Sequence, residues 1–284
     1  MDKHTHEHPP AVISGLGLLA AIVLAVISAP SDASEPVRKE MPELKRCFGN
    51  GKIQGTFVLY EPATQTLTEY NSKRAQQRFV PASTYKILNS LIGLETGVIK
   101  SVDQVFPWDG KHYWNSDWEQ DLTLREAMKY SAVPVYQRIA RDIGLARMQA
   151  GVTSANFGNG HIGQVVDRFW LDGPLAISAE EQAQFVTRLA MKQLPFSEAN
   201  QLAVRDILRQ DADTTYSLFA KTGWAQSSKQ DLGWWVGWVE DAKGIHAFAL
   251  NMDMDEKRHI EAETRKQVGR ACLRQLGVIP EAKQ

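Results

Sequence analysis

The chain has 284 residues, 23% charged and 43% apolar, with a formal net charge of −1. That length carries one large domain or two small ones around a sizeable core, and the composition is that of an ordinary globular protein. Near neutrality, with no basic stripe interleaved with aromatics and no polybasic run, argues against nucleic acid and against an anionic membrane surface as partners.

The first segment reads as a targeting signal. Residues 11–27 are almost wholly apolar, between a polar start and the small residues around Ala33, which predicts a secretory signal over 1–33 removed after Ala33. An uncleaved single-span anchor is the other reading, because the apolar run approaches the length a bilayer needs. Cleavage is preferred. It leaves residues 34–284 as one nearly neutral domain, exported to the periplasm with no stable membrane partner. It also removes His4, His6 and His8, the sole histidines with a spacing that suits a metal, so no metal is expected.

Beyond the leader, Gly55–Glu61 has the β-branched and aromatic content of a strand, turned by Pro62-Ala63-Thr64. After Ser83, the spacing of Ile87, Leu88, Leu91 and Ile92 predicts a helix with one apolar stripe. Apolar residues three and four apart predict further helices over 124–130, 135–144, 179–193 and 198–208. Three strands follow over 216–221, 232–240 and 245–252, and an amphipathic helix over 261–276. In the second strand Trp234, Val236 and Trp238 alternate with Trp235, Gly237 and Val239, so both faces of the sheet are covered there. Strand-rich ends around a helical middle predict an α/β (α+β) fold, with one antiparallel sheet built from both chain ends, flanking helices and an inserted helical lobe over about 84–210. Cys47 and Cys272 are the two cysteines. They form either a disulfide joining the ends of the mature chain or two separate, inert buried thiols.

Three short motifs carry the chemistry. Ser83-Thr84-Tyr85-Lys86 is the sole S-x-x-K, and at a helix start it places a hydroxyl and an amine on one face. A serine needs a base before it becomes a nucleophile, and a helix start offers N–H groups to a developing oxyanion. Alone, the tetrapeptide is an ordinary helix start. Lys221-Thr222-Gly223, at the end of the strand 216–221, offers a cation, a hydroxyl and a bare backbone to a carboxylate-bearing substrate lying along the strand edge. Ser131-Ala132-Val133 sits between them in order. Ser131 is there either a proton relay to a leaving nitrogen or an N-cap of the next helix. The three together match the pattern of serine acyl-transfer enzymes that act on penicillins.

The details make the resemblance specific. The segment Phe79-Val80-Pro81-Ala82-Ser83-Thr84-Tyr85-Lys86, Ser131-Ala132-Val133 in place of S-D-N, Phe157-Gly158-Asn159, Asp167-Arg168-Phe169-Trp170-Leu171, Lys221-Thr222-Gly223-Trp224 and Trp235-Val236-Gly237-Trp238 follow in order. The chain so resembles the class D (oxacillinase-type) serine β-lactamases over essentially its whole mature length. The resemblance implies the penicillin-binding/serine β-lactamase fold and hydrolysis of penicillin-type antibiotics through an acyl-enzyme on Ser83, conferring resistance. It also implies that Lys86 reacts with carbon dioxide to become a carboxylated general base for acylation and deacylation, with no bound cofactor. An amine that burial keeps neutral is able to make that reaction. Val133 and Val80 would line its pocket and the Trp170 indole would hold the carbamate. The backbone N–H groups of Ser83 and Trp224 would hold the oxyanion. Ser131 and Lys221 would protonate the leaving nitrogen, and Thr222, Gly223 and Arg265 would bind substrate, Arg265 through its carboxylate. Phe157 stands where many members carry tyrosine and is assigned packing alone.

Two other functions share these motifs. A penicillin-sensing receptor domain stays acylated, and a D,D-peptidase usually reads S-x-N in the middle motif. Ser131-Ala132-Val133 with Trp170 argues for the hydrolase. Sequence leaves open which β-lactams are preferred and whether the protein is a monomer or a homodimer.

Overall fold

A computed structural model describes residues 1–2, 35–212, 214–226, 230–254 and 260–281, so the leader reading lies outside the described residues. In chain order, β1 (Val37–Glu40), β2 (Gly55–Glu61) and β3 (Thr66–Tyr70) precede the short helix α1 (Ser72–Ala75). A 3-10 turn over Ala82–Tyr85 runs directly into α2 (Lys86–Glu95). The small antiparallel pair β4 (Val105–Phe106) and β5 (Leu122–Thr123) precedes α3 (Leu124–Lys129), α4 (Val133–Ile143) and α5 (Leu145–Ser154). The chain continues through α6 (Ala179–Ala190), α7 (Glu198–Leu208), β6 (Arg209–Ala212), β7 (Tyr216–Ala225), β8 (Asp231–Asp241), β9 (Gly244–Met254) and α8 (Thr264–Gln275).

The seven-stranded sheet has the order β1-β3-β2-β9-β8-β7-β6. Pairing of β2 with β9, with Gly55 opposite Met252, makes it one sheet from both chain ends, as the sequence predicts. One feature departs from a purely antiparallel sheet. β1 runs parallel to β3, because the crossover through the 3-10 turn at Pro42–Arg46 and back along β2 returns the chain to its first direction.

The alternation in β8 splits the core. Trp234, Val236 and Trp238 join α2 and the helical side, whereas Trp235 and Val239 face Val268, Cys272 and Leu273 of α8. On α2 the stripe Ile87, Leu88, Leu91 and Ile92 is fully buried, each side chain contributing roughly 1.5–3 kcal/mol. Helix α6 lies across β2, β8 and β9. At Gly269 a Cβ would stand 2.2 Å from the Trp235 ring, so α8 rests directly on that indole.

Several boundaries differ from the periodicity. Helix α4 begins at Val133 because Pro134 is tolerated in a first turn, where its missing N–H costs nothing. Helix α6 stops at Ala190, and Lys192 turns the chain away with φ 58°. Strand β7 does not end at Lys221. It runs to Ala225, held by β8 throughout, so Lys221-Thr222-Gly223 lies inside the strand. Cys47 and Cys272 are free thiols but not separate ones. Cys47 donates to Gln275 Oε1 at 3.4 Å, and a hydrogen bond with Cys272 lowers its pKa, while burial raises that of Cys272. Among the described residues no helix is long and apolar enough to cross a membrane.

Candidate active site

In a 3-10 turn, side chains three apart eclipse one another. Ser83 and Lys86 stand in that relation, and Lys86 Nζ donates to Ser83 Oγ at 2.7 Å. Lys86 is fully buried, with the Tyr136 ring 5.3 Å from its nitrogen. No carboxylate pairs with it among the described residues, and burial pushes its pKa down to about 7. An amine there is about half neutral at pH 7.

The turn is pinned from three sides. Thr84 Oγ1 donates to Pro81 O at 2.8 Å, Gln182 of α6 donates to Thr84 Oγ1 at 2.7 Å, and the Trp234 indole of β8 donates to Val80 O at 2.9 Å. These contacts hold Ala82, the residue before Ser83, at φ 48°, a conformation costing of order 1–3 kcal/mol that surrounding structure must impose. Gly223 works differently from the sequence reading. A Cβ there would meet Pro81 O and Thr84 Cγ2, both at 3.1 Å. The missing side chain therefore lets the Ser83 turn settle on β7, and the space it leaves is filled by protein.

Across the site, Ser131 sits between α3 and α4 with φ 56°. Ala132 is the N-cap of α4, so Ser131 does not cap, and its hydroxyl instead accepts from Lys221 Nζ at 3.0 Å. Lys221 Nζ also donates to Thr222 O at 3.0 Å. Burial, then the charges of Lys86, Arg265 and Lys266, hold the Lys221 pKa well below the usual lysine range. The two lysines feel one another, which joins the S-x-x-K turn and the Ser131–Lys221 pair into one site. The Trp118 indole fixes the Ser131 turn by donating to Tyr130 O at 3.0 Å.

Thr222 and Trp224 are half-buried on the same strand. The Trp224 indole donates to Asp231 Oδ2 at 2.8 Å. Arg265 is no solvated helix cation. It is buried, its guanidinium lies 5.5 Å over the Trp224 ring, Nη1 donates to Gly223 O, and burial pulls its pKa down to about 10.

The penicillin-binding protein transpeptidase domain family matches residues 50–274. Over 264 residues the chain is 40% identical to β-lactamase OXA-5 of Pseudomonas aeruginosa, covering 92% of this chain and 98% of that one. The chain belongs to the class D β-lactamases. β-Lactamase OXA-48 of Klebsiella pneumoniae is 41% identical over 259 residues, covering 91% of this chain and 96% of the relative. Among solved structures, the class D β-lactamase FUS-1 (OXA-85) of Fusobacterium nucleatum subsp. polymorphum superposes with a TM-score of 0.81 at 39% identity, over 85% of this chain and all of that one.

The residues of this class D chain suit a carboxylated lysine. Trp170 is fully buried, yet its indole N–H has no partner among the described residues. Its ring stacks on Tyr85, the neighbour of Lys86, at 5.4 Å. A donor left unmet in a core is costly unless a further group completes it. Val133 is half-buried at the start of α4 and packs on the same core. Phe157 is buried edge-on to Tyr85 and Phe185, and Asn159 of the same motif accepts from Ala176 N and donates to Pro174 O. Among the described residues no cluster of His, Cys, Asp or Glu could hold a metal ion.

Trp234, Gln182 and Trp118 position the site without being legible in the sequence as doing so. Each acts through a backbone or hydroxyl contact from a distant segment, and the alternation around Trp234 signals only a strand.

Proposed function

We propose that the protein hydrolyses the amide bond of penicillin-type β-lactams through an acyl-enzyme on Ser83. The observation that carries this reading is the buried Lys86 amine, its pKa brought to about 7, donating to the Ser83 hydroxyl at 2.7 Å. Carboxylation of Lys86 by carbon dioxide would supply an anionic oxygen base for acylation and deacylation, held by the Trp170 indole N–H and walled by Val133.

The remaining roles belong to the chain itself. Ser83 Oγ attacks the lactam carbonyl, and the N–H groups of Ser83 and Trp224 hold the oxyanion. Lys221 stabilises the Ser131 hydroxyl at 3.0 Å, and Ser131 delivers a proton to the departing ring nitrogen. The open edge of β7 at Thr222 and Gly223, with Arg265 behind it, receives the substrate carboxylate. Water then hydrolyses the ester. In the cell, removal of residues 1–33 would release the enzyme into the periplasm, where this activity confers β-lactam resistance.

Steady turnover of a chromogenic cephalosporin by the purified protein tests the reading. Multiple turnovers support it. One stoichiometric burst followed by silence would mark a penicillin-sensing or peptidase-like protein instead.

A further inference from the structure

Strand β6 covers only part of β7. Arg209, Asp211 and Ala212 pair with Phe219, Leu218 and Ser217, and the Gln210 amide donates to Ala220 O where pairing stops. Beyond that point β7 has β8 on one side and, among the described residues, no strand on the other. A cavity of about 370 Å³ lies at this end of the open edge, reaching from Lys221 and Thr222 to Lys129, Arg209 and Lys266.

The walls of that cavity are unbalanced in charge. Besides Lys221, whose charge burial disfavours, four cations line it against one carboxylate, Asp206. Asp206 is already engaged by Arg125, and Lys266 is paired with Glu263. Lys129, Arg209 and Lys221 have no carboxylate partner among the described residues. Lys129 lies over the Tyr130 ring and Arg209 over the Phe219 ring, at 5.1 and 5.2 Å. Aromatic faces orient a cation without neutralising it. In a chain of net charge −1, a concave surface lined this way concentrates anions.

We infer that this cavity is a second anion subsite, which takes an acidic substituent carried on the leaving-nitrogen side of the β-lactam. The inference rests on the hydrolase reading above, because that reading sets the direction in which substrate lies. The carbonyl end belongs near Ser83 and Trp224, and the departing nitrogen near Ser131 and Lys221. Whatever is attached beyond the nitrogen then points along β7 toward Lys129 and Arg209. The class of ligand is a dianionic β-lactam, whose carboxylate, sulfonate or phosphonate substituent is additional to the ring carboxylate.

Two cephalosporins with the same acyl side chain test this, one with a 3-substituent ending in a carboxylate and the other in its methyl ester. The wild-type protein should favour the carboxylate by roughly tenfold in kcat/KM, chiefly through KM, as a charge pair at a site rim does. The preference should shrink as salt rises from about 20 to 500 mM. Lys129→Gln with Arg209→Gln should abolish the preference and leave the ester's kinetics unchanged. Lys129→Glu, a change at an exposed side chain, should reverse it and guards against misfolding of the Arg209 variant. Equal kcat/KM for both substrates in the wild type, or a preference that survives in both variants, would overturn the inference. No turnover of either substrate would overturn the hydrolase reading and the inference with it.

Discussion

Lys221 on β7 holds the hydroxyl of Ser131, ninety residues earlier in the chain, at 3.0 Å. Neither side chain is equipped for the task alone. Ser131 is kept in a left-handed turn that aims its hydroxyl at the strand, and Lys221 is buried with its pKa pulled down by that burial and by Lys86. In the proposed mechanism the pair works as a unit at the proton delivery step. Ser131→Ala and Lys221→Ala should each lower the acylation rate by roughly 10²–10⁴-fold. The double variant should be scarcely worse than either single one, as groups acting together are non-additive. Single-turnover acylation rates measure this, and additive losses would separate the two roles.

Activity should depend on pH through Lys86. Its pKa of about 7 means that each unit of pH below 7 removes about tenfold of the neutral amine, the form that reacts with carbon dioxide. In carbon-dioxide-depleted buffer, activity should fall steeply from pH 7 to 5, and added bicarbonate should restore it. Trp170→Phe, which removes the unmet indole donor, should raise the bicarbonate concentration needed. Equal rates with and without bicarbonate at pH 6 would require another base.

The same burial costs stability. The unfolded chain keeps Lys86 protonated up to about pH 10.5, whereas the folded amine loses its proton near 7. Between these values the unfolded state binds more protons, so this group's penalty is full below pH 7 and is relieved as pH rises toward 10.5. Lys86→Met should therefore be inactive yet more stable at pH 6 in depleted buffer, by a few kcal/mol. The gain should narrow by pH 9, as denaturant unfolding at the two pH values would reveal.

Cys47 and Cys272 should cross-link under mild oxidation. The more acidic, half-exposed Cys47 attacks oxidised glutathione and releases one glutathione thiol, and Cys272 then displaces the second, leaving the protein lighter by two hydrogens. Closing so long a loop should stabilise the fold by roughly 2–4 kcal/mol, read as a rise in Tm that dithiothreitol reverses and Cys47→Ser prevents. An unchanged mass after oxidation would leave the two thiols as packing.

What the sequence carries about this fold and site follows the range of the interactions. The helix stripe after Ser83 and the two-sided β8 are local patterns, and each stands where its pattern places it. Edge strand β1 escapes such a reading because all four of its residues are exposed, so no alternation marks it. Strand β7 reads short because Thr222-Gly223 resembles a turn until Trp234 and Trp235 of β8 pair with it. Gly223 reads as a gap for substrate, yet its neighbours Pro81 and Thr84 come from over a hundred residues away. The grip of Trp234 on Val80 and of Trp118 on Tyr130 likewise exists only once the chain has folded.

The division of labour between Ser83 and Lys86 is tested most directly by trapping. Lys86→Ala should be mixed with a penicillin, quenched, and mapped by mass spectrometry of its peptides. A penicilloyl adduct that forms slowly on the peptide containing Ser83 and then persists for hours, where the wild type shows turnover, is the expected result. An adduct on another residue, or turnover by Lys86→Ala near the wild-type rate, would contradict the account.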